Sequence, residues 1–213
     1  MYFIDKSFFH GEIFIPNLEE YCDNMNFDVL RFISQYETEC LTLTLGECLF
    51  SELKKQLRFD ETKKRFVLKD EAESRWEWLI NGLEYDKAFD GCGCYCHCDR
   101  RHWRGFIYTT PIITNDGLRE LKYSFLAYWI YFQRAFSKNS HSTGTGEAVN
   151  NTENATMISN EIKRKYAFNQ FYQLVQIEDC AGFVSLYQFL KDHRDFYPEW
   201  CPTYFQPLNY FDI

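Results

Sequence analysis

The sequence predicts a mainly helical fold: a helical bundle with one projecting β-hairpin and with extended N- and C-terminal arms. Apolar residues recur at steps of three and four over several long stretches, which is typical of the buried face of a helix. Residues 103–110 are instead rich in aromatic and β-branched types, which favours a strand. Pro198, Pro202 and Pro207 exclude a helix from residues 197–213, so this end is predicted to be an extended tail.

Size and composition fit a single domain over residues 1–213. Of the 213 residues, 46% are hydrophobic and 19% aromatic, and no break in composition divides them. The formal net charge of −8 is unfavourable for gripping nucleic acid. No apolar run reaches the roughly 18 residues that span a bilayer, and the first residues lack the pattern of a signal peptide. The nine cysteines, scattered apart from one cluster, indicate a reducing compartment.

The first third of the chain is predicted to contain an arm and two helices. Residues 12–17 (EIFIPN) combine strand-forming types with a Pro-Asn turn, which predicts a short extended arm laid over the core. Residues 26–57 carry two apolar stripes, which predicts two helices joined near residues 41–46. The polar groups of residues 35–37 are expected on the helix surface.

A third helix and a hairpin are predicted next. The charged residues 58–69 break the apolar period and predict a linker or short turn. A helix is predicted from about Asp70 to Gly82, because glycine commonly terminates helices. The strand of residues 103–110 then completes a hairpin spanning about 83–110.

The strongest helical pattern lies in residues 118–136, whose apolar and largely aromatic positions share one face. We expect this to be the core helix, with Asn115 or Asp116 as its cap. Residues 137–156 contain almost nothing to bury and predict a flexible arm. Further helical segments are predicted at 158–178 and 183–190. The aromatic residues of the tail need a surface, either on the same domain or on a neighbouring molecule.

A cysteine cluster lies inside the predicted hairpin and suggests zinc. Tetrahedral zinc with bonds of about 2.3 Å places its sulfurs about 3.8 Å apart, whereas alternate residues on one face of a strand are about 6.6 Å apart. The spacing therefore favours a cysteine-rich hairpin over a metal site, with a reversible disulfide as a third alternative, and no metal or cofactor is expected. The residues concerned are Cys92, Cys94, Cys96, Cys98, His97 and His102.

No catalytic motif stands out. The chain lacks a Gly-x-Ser-x-Gly elbow, a His-Glu-x-x-His pair and a dinucleotide-binding loop. The Gly144–Gly146 pair is not a phosphate loop, because it follows a helical pattern and lacks the Gly-Lys-Ser/Thr ending. We therefore expect no enzymatic activity.

The order of short motifs along the chain resembles the head-tail connector proteins (adaptor or neck ring proteins) of tailed bacteriophages, particularly phages of Bacteroidetes, including the crAss-like group. The resemblance spans nearly the full length, although the cysteine cluster departs from the plain polar hairpin usual in that family. The motifs are 9–17 (FHGEIFIPN), 32–37 (FISQYE), 43–46 (LTLG), 78–85 (WLINGLEY), 103–106 (WRGF), the aromatic run 123–132, 143–147 (TGTGE), 154–156 (NAT), 167–169 (AFN) and 208–213 (LNYFDI).

The resemblance implies a structural virion protein, made in the cytoplasm of a host bacterium and located at the head-tail interface. It implies a homo-oligomeric ring of about twelve copies that binds the portal protein and neighbouring connector or tail proteins. DNA would pass through the channel without specific binding, and no membrane is involved. The rival hypothesis is a small cytosolic zinc-binding regulator built on the Cys92–Cys98 cluster. The predicted interface residues are Trp103, Phe106, Gly144, Gly146, Trp200, Tyr204, Phe205, Tyr210 and Phe211.

Overall fold

The computed structural model describes residues 3–15, 23–62, 65–86, 100–114, 117–138, 141–143, 146–148, 160–177 and 183–208. About 51% of the structure is helix and 21% is strand. The fold is therefore mixed α and β, and the prediction of a mainly helical bundle with one hairpin is wrong. The described strands form four separate two-stranded antiparallel sheets, several of them in stretches whose sequence predicted a linker, a helix or an arm.

The described elements surround one contiguous hydrophobic core. None of the helices among these residues is long and apolar enough to cross a bilayer. Two short 3-10 turns, Lys6–Phe8 and Gly11–Ile13, precede the first helix. The helices are α1 (Asp23–Leu45), α2 (Glu47–Lys55), α3 (Ser74–Asn81), α4 (Phe125–Lys138), α5 (Asn160–Gln176) and α6 (Leu186–Asp192). The strands are β1 (Leu57–Asp60), β2 (Arg65–Leu68), β3 (Leu83–Asp86), β4 (Arg100–Trp103), β5 (Tyr108–Thr114), β6 (Gly117–Tyr123), β7 (His141–Thr143) and β8 (Gly146–Ala148), paired in chain order.

The predicted junction of two helices near residues 41–46 is confirmed, because Gly46 separates α1 from α2 at a φ of 81°. A Cβ at this position would collide with the carbonyl oxygen of Cys201, since the C-terminal segment crosses the junction. Thr203 N–H, in that segment, donates to the Leu43 carbonyl oxygen at 2.8 Å. The left-handed backbone and the close approach together require glycine here.

A hairpin occupies the stretch predicted to be a linker, residues 58–69. Strands β1 and β2 pair in register, with Phe59 opposite Phe66 and their ring centroids 5.4 Å apart. Such cross-strand aromatic pairs stabilise a two-stranded sheet. The linker prediction is wrong because Arg58, Asp60 and Arg65 lie on one face of a short hairpin, opposite the face that carries Phe59 and Phe66.

Helix α3 ends at Gly82 as predicted, at a φ of 97°, but it begins at Ser74 rather than near Asp70. The chain returns to this helix end after β4, where Phe106 N–H donates to the Ile80 carbonyl oxygen at 2.9 Å. A Cβ on Gly105 would collide with that same carbonyl oxygen. The two backbones therefore pack directly against each other.

The predicted single hairpin at about 83–110 is two hairpins. Strand β3 pairs with β4, and a second hairpin begins at Tyr108. The predicted core helix of residues 118–136 consequently starts only at Phe125, and its cap is Ser124, whose hydroxyl accepts from Leu126 N–H at 3.2 Å. The predicted caps Asn115 and Asp116 lie outside the described residues.

Helices α4 and α5 pack through aromatic rings. Trp129 of α4 contacts Phe171 of α5 at a centroid separation of 4.9 Å, and Phe168 lies 5.0 Å from Phe132. The predicted flexible arm of residues 137–156 begins inside α4 and includes the short β7–β8 hairpin. The rest of that arm is outside the described residues.

The N-terminal segment covers the core, as expected, but through 3-10 turns rather than a strand. It is held by Glu37 of α1, whose Oε1 accepts hydrogen bonds from the backbone N–H groups of Phe3 and Ile4. Glu37 is fully buried, so the expectation that residues 35–37 lie on the helix surface is wrong for this residue. Burial raises the pKa of the Glu37 carboxyl to about 8, against the lowering effect of the two N–H groups.

Candidate functional site

The β5–β6 hairpin carries the most exposed apolar side chains of the described structure. Ile113 is 91% exposed and Leu118 is 71% exposed, and the two residues pair directly across the strands. Pro111 and Glu120, the pair two residues nearer the base, lie on the same face and are also exposed. We call Pro111, Ile113, Leu118 and Glu120 the outer hairpin face.

The base of this hairpin is fixed to the N-terminal segment. A ring nitrogen of His10 lies 2.7 Å from the Lys122 carbonyl oxygen, and the His10 ring meets the Tyr123 ring edge-on at 4.9 Å. The Lys122 ammonium is 3.9 Å from an Asp5 carboxylate oxygen and lies over the Phe8 ring. The hairpin is therefore anchored at its base, while its outer half stands away from the domain.

A cavity of about 390 Å³ opens at the base of the hairpin. We call it the basal cavity. Its walls combine aromatic and aliphatic side chains with the amides of Gln170 and Gln173. They come from the β4–β5 connection, α4, α5 and the segment before α6. The residues that matter below are Trp103, Arg104, Tyr108, Phe183 and Ile177.

Arg104 is the charged side chain of the basal cavity. Its guanidinium carbon lies 3.4 Å from the ring centroid of Phe183 and 4.9 Å from that of Tyr108. Cation–π contact on two rings fixes the guanidinium in the wall. Burial raises the pKa values of Tyr108 and Tyr128, so both phenols in the wall are neutral at physiological pH. The basal cavity therefore combines an apolar lining with one fixed positive charge, which suits an apolar group that carries a negative charge.

Two predicted interface residues, Trp103 and Phe106, are buried. The Trp103 indole donates to the Leu79 carbonyl oxygen at 3.0 Å and stacks on Phe189, although its edge also lines the basal cavity. Phe106 is fully buried between Phe3 and Phe125. Phe106 therefore belongs to the core and presents no surface to a neighbour.

The predicted interface residues of the tail differ in how far they are exposed to solvent. Trp200 is buried and donates to the Thr44 carbonyl oxygen at 3.1 Å, whereas Tyr204 is 61% exposed beside Tyr187. Phe205 inserts among the rings of α4 and α5. The tail through residue 208 thus docks on its own domain, one of the two alternatives left open by the sequence. Gly146 lies in β8, and Gly144, Tyr210 and Phe211 are outside the described residues.

Two amide side chains on one face of α5 hold the tail. Asn169 donates to the Leu208 carbonyl oxygen at 3.1 Å and accepts from Leu208 N–H at 3.0 Å. Gln176 makes the same pair of bonds with Phe205, donating to its carbonyl oxygen at 3.2 Å and accepting from its N–H. Each amide side chain thus hydrogen-bonds both the backbone N–H and the carbonyl oxygen of one tail residue. These backbone groups are not paired with a strand.

We expect Gln176→Ala to loosen the tail, because it removes both hydrogen bonds to the Phe205 backbone. This loss should lower the local stability of the tail by about 1 kcal/mol. The Phe205 amide should then exchange its hydrogen about fivefold faster, as measured by hydrogen–deuterium exchange. Lys163→Ala, an exposed position on the same helix, is the control and should leave this exchange unchanged. Equal protection of the Phe205 amide in both variants would show that the aromatic contacts alone hold the tail.

The β3–β4 hairpin frames the cysteine cluster and is tied to α6. Arg101 and Asp192 form an ion pair at 2.6 Å with side chains only 10% and 15% exposed. The Tyr85 hydroxyl donates to the same Asp192 oxygen at 2.8 Å. Burial and the hydrogen bond to Asp192 raise the pKa of Tyr85, so its hydroxyl remains a donor. The cluster Cys92, Cys94, Cys96 and Cys98 lies outside the described residues, and the part of the chain that is described holds no group of metal-ligating side chains.

We expect Asp192→Asn to lower the free energy of unfolding by about 2 kcal/mol, because it leaves the nearly buried Arg101 guanidinium without its carboxylate. Urea unfolding measures the change. Asp70→Asn is a matched control: Asp70 pairs with Arg58 at 3.2 Å, but the side chains are 88% and 52% exposed. That substitution should change stability by less than about 0.5 kcal/mol. Equal effects of the two substitutions would contradict the assignment of the Asp192 pair as the hairpin anchor.

The outer hairpin face was not among the residues predicted from the sequence. The signal was the turn-forming run Asn115-Asp116-Gly117 between two runs of strand-forming residues. Thr114 pairs with Gly117, so a two-residue loop joins β5 to β6.

Comparison with known proteins gives no relative: no family model, curated protein or solved structure matches the chain.

Proposed function

We propose that this chain is a structural virion protein, a subunit of a head-tail connector ring that joins the portal to the tail and continues the DNA channel. The proposal starts from the resemblance of the ordered sequence motifs to connector proteins. It assigns the chain a mechanical role in assembly and no catalytic step.

The structural observation that supports this proposal best is the outer hairpin face. Ile113 and Leu118 are held at 91% and 71% exposure on a paired, base-anchored hairpin. Leaving such side chains in water is unfavourable, and adjacent exposed apolar residues on a rigid element mark a protein contact surface. A subunit that functions only inside an assembly needs such a surface.

Net charge is compatible with a DNA channel. The chain carries 23 basic and 31 acidic residues, for a formal net charge of −8. A channel lined by such a chain repels DNA phosphates and lets the duplex slide without adhering. We therefore expect no retention of duplex DNA by the purified protein at physiological salt, and tight binding in a filter or gel-shift assay would contradict the channel role.

The decisive experiment locates the chain in particles of the phage that encodes it. Mass spectrometry of purified particles should detect the chain, and electron cryomicroscopy should place it as a ring of about twelve copies between portal and tail. Absence from the particle, or a position in the capsid shell, would overturn the proposal. Absence combined with a zinc-loaded monomer, measured by metal analysis and sedimentation, would instead support the regulator built on Cys92–Cys98.

A further inference from the structure

The outer hairpin face and the basal cavity match in apolar character and in size. The cavity measures about 390 Å³ and is lined largely by aromatic and aliphatic side chains. An engineered protein cavity of about 150 Å³ holds a benzene molecule, so the basal cavity has room for two adjacent aliphatic side chains such as those of Ile113 and Leu118. Their direct pairing across β5 and β6 presents them as one projection rather than as two separate contacts.

The two surfaces are also complementary in charge. Glu120 lies on the outer hairpin face, two residues from Leu118 and nearer the base. When the tip enters the cavity, this carboxylate follows it toward the lining, where the fixed Arg104 guanidinium and the Gln170 and Gln173 amides can donate to it. An arginine–carboxylate contact at the rim of an apolar contact adds specificity and orientation.

The hairpin cannot fill the cavity of its own chain. Tyr108 lines the cavity and begins β5, and Ile113 lies five residues further along the same paired strand. At about 3.4 Å per residue, the tip is about 17 Å from the cavity wall. The pairing with β6 along all seven residues of β5 prevents the hairpin from folding back.

The geometry points to a head-to-tail contact between copies of this chain, in which the outer hairpin face of one copy fills the basal cavity of the next. Donor and acceptor surfaces differ, so each copy can use both, and repetition gives a ring when the rotation closes. This inference rests on the proposed function and supplies the subunit contact of the ring.

The test uses two substitutions of exposed residues in the full-length chain. Leu118→Asp places a charge on the outer hairpin face and leaves the basal cavity intact. Ile177→Asp places a charge in the basal cavity wall and leaves the hairpin intact; Ile177 is 46% exposed. We expect the unmodified chain to self-associate in sedimentation experiments, and we expect each variant alone to associate at least about tenfold more weakly.

An equimolar mixture of the two variants gives the sharper result. The intact hairpin of the Ile177→Asp chain fits the intact cavity of the Leu118→Asp chain, so dimers form. Both remaining surfaces of that dimer are damaged, so nothing larger forms. A hairpin-to-hairpin contact with two-fold symmetry predicts a different result, in which the Ile177→Asp chain alone associates like the unmodified chain.

Thr110→Asp is the matched control, because Thr110 is exposed on the opposite face of β5. This variant should associate like the unmodified chain, and circular dichroism should show the same fold for all variants. An unmodified chain that stays monomeric at every concentration, undiminished association of Ile177→Asp, or a mixture without dimers would each overturn the inference. None of these results bears on whether the chain is found at the head-tail junction, which imaging decides independently.

Discussion

Glu37→Gln should make the protein more stable at pH 8 and above by about 4 to 5 kcal/mol and should remove most of the pH dependence between about pH 4.5 and 8. The Glu37 carboxyl has a pKa of about 8 in the folded protein, raised by burial from 4.5. The unfolded chain therefore releases this proton first as the pH rises. Stability contributed by the neutral carboxyl is complete below about pH 4.5 and is lost as the pH rises through about 8.

Glutamine keeps a side-chain oxygen that can accept from the Phe3 and Ile4 N–H groups, but it never becomes charged. Urea unfolding at several pH values measures the difference between the two proteins. Glu39→Gln is the graded control on the same helix, because burial raises the pKa of the Glu39 carboxyl as well, in a more exposed position. The gain in the free energy of unfolding at high pH should be smaller for Glu39→Gln than for Glu37→Gln. Parallel stability profiles for Glu37→Gln and the unmodified chain would show that the carboxylate is not buried in solution.

Gly46→Ala should lower the free energy of unfolding by about 3 kcal/mol. A φ of 81° is unfavourable for alanine by about 1 to 2 kcal/mol, and the added Cβ would also collide with the Cys201 carbonyl oxygen. The C-terminal segment must then shift away from the α1–α2 junction. Thermal and urea unfolding measure the loss.

Gly11→Ala separates the two contributions to that loss. Gly11 also has a positive φ, of 58°, but a Cβ there meets nothing within 4 Å. We expect this control to be destabilised by about 1 kcal/mol, from backbone conformation alone. A loss as small in Gly46→Ala as in Gly11→Ala would mean that residues around Cys201 do not pack on the junction.

Glycines marked the helix ends correctly, whereas the β1–β2 and β5–β6 hairpins were missed. Gly46 and Gly82 interrupt clear apolar stripes, so the ends of α1 and α3 followed from the sequence. In contrast, Leu118, Leu121 and Phe125 are spaced as on a helix, although the first two lie on β6. Apolar residues of a short strand can be spaced like those on one face of a helix, and only the turn-forming run Asn115-Asp116-Gly117 indicated the two strands.

The candidate contact surface could not be predicted from the sequence because it depends on pairing register. Ile113 and Leu118 become one exposed projection only because they are opposite each other across the strands. The buried position of Glu37 was equally hidden, since polar residues in helices are mostly exposed. Its burial depends on the N-terminal segment, about 34 residues earlier in the chain.

Helix α1 is held at two places by segments that are far apart in the sequence. Phe3 and Ile4 bind Glu37, and the Trp200 indole binds the Thr44 carbonyl oxygen across 156 residues. Contacts of such long range form slowly, because the intervening chain must be ordered first. During synthesis, α1 therefore leaves the ribosome long before its second partner exists. We therefore expect α1 to reach its native packing only after translation has passed Trp200.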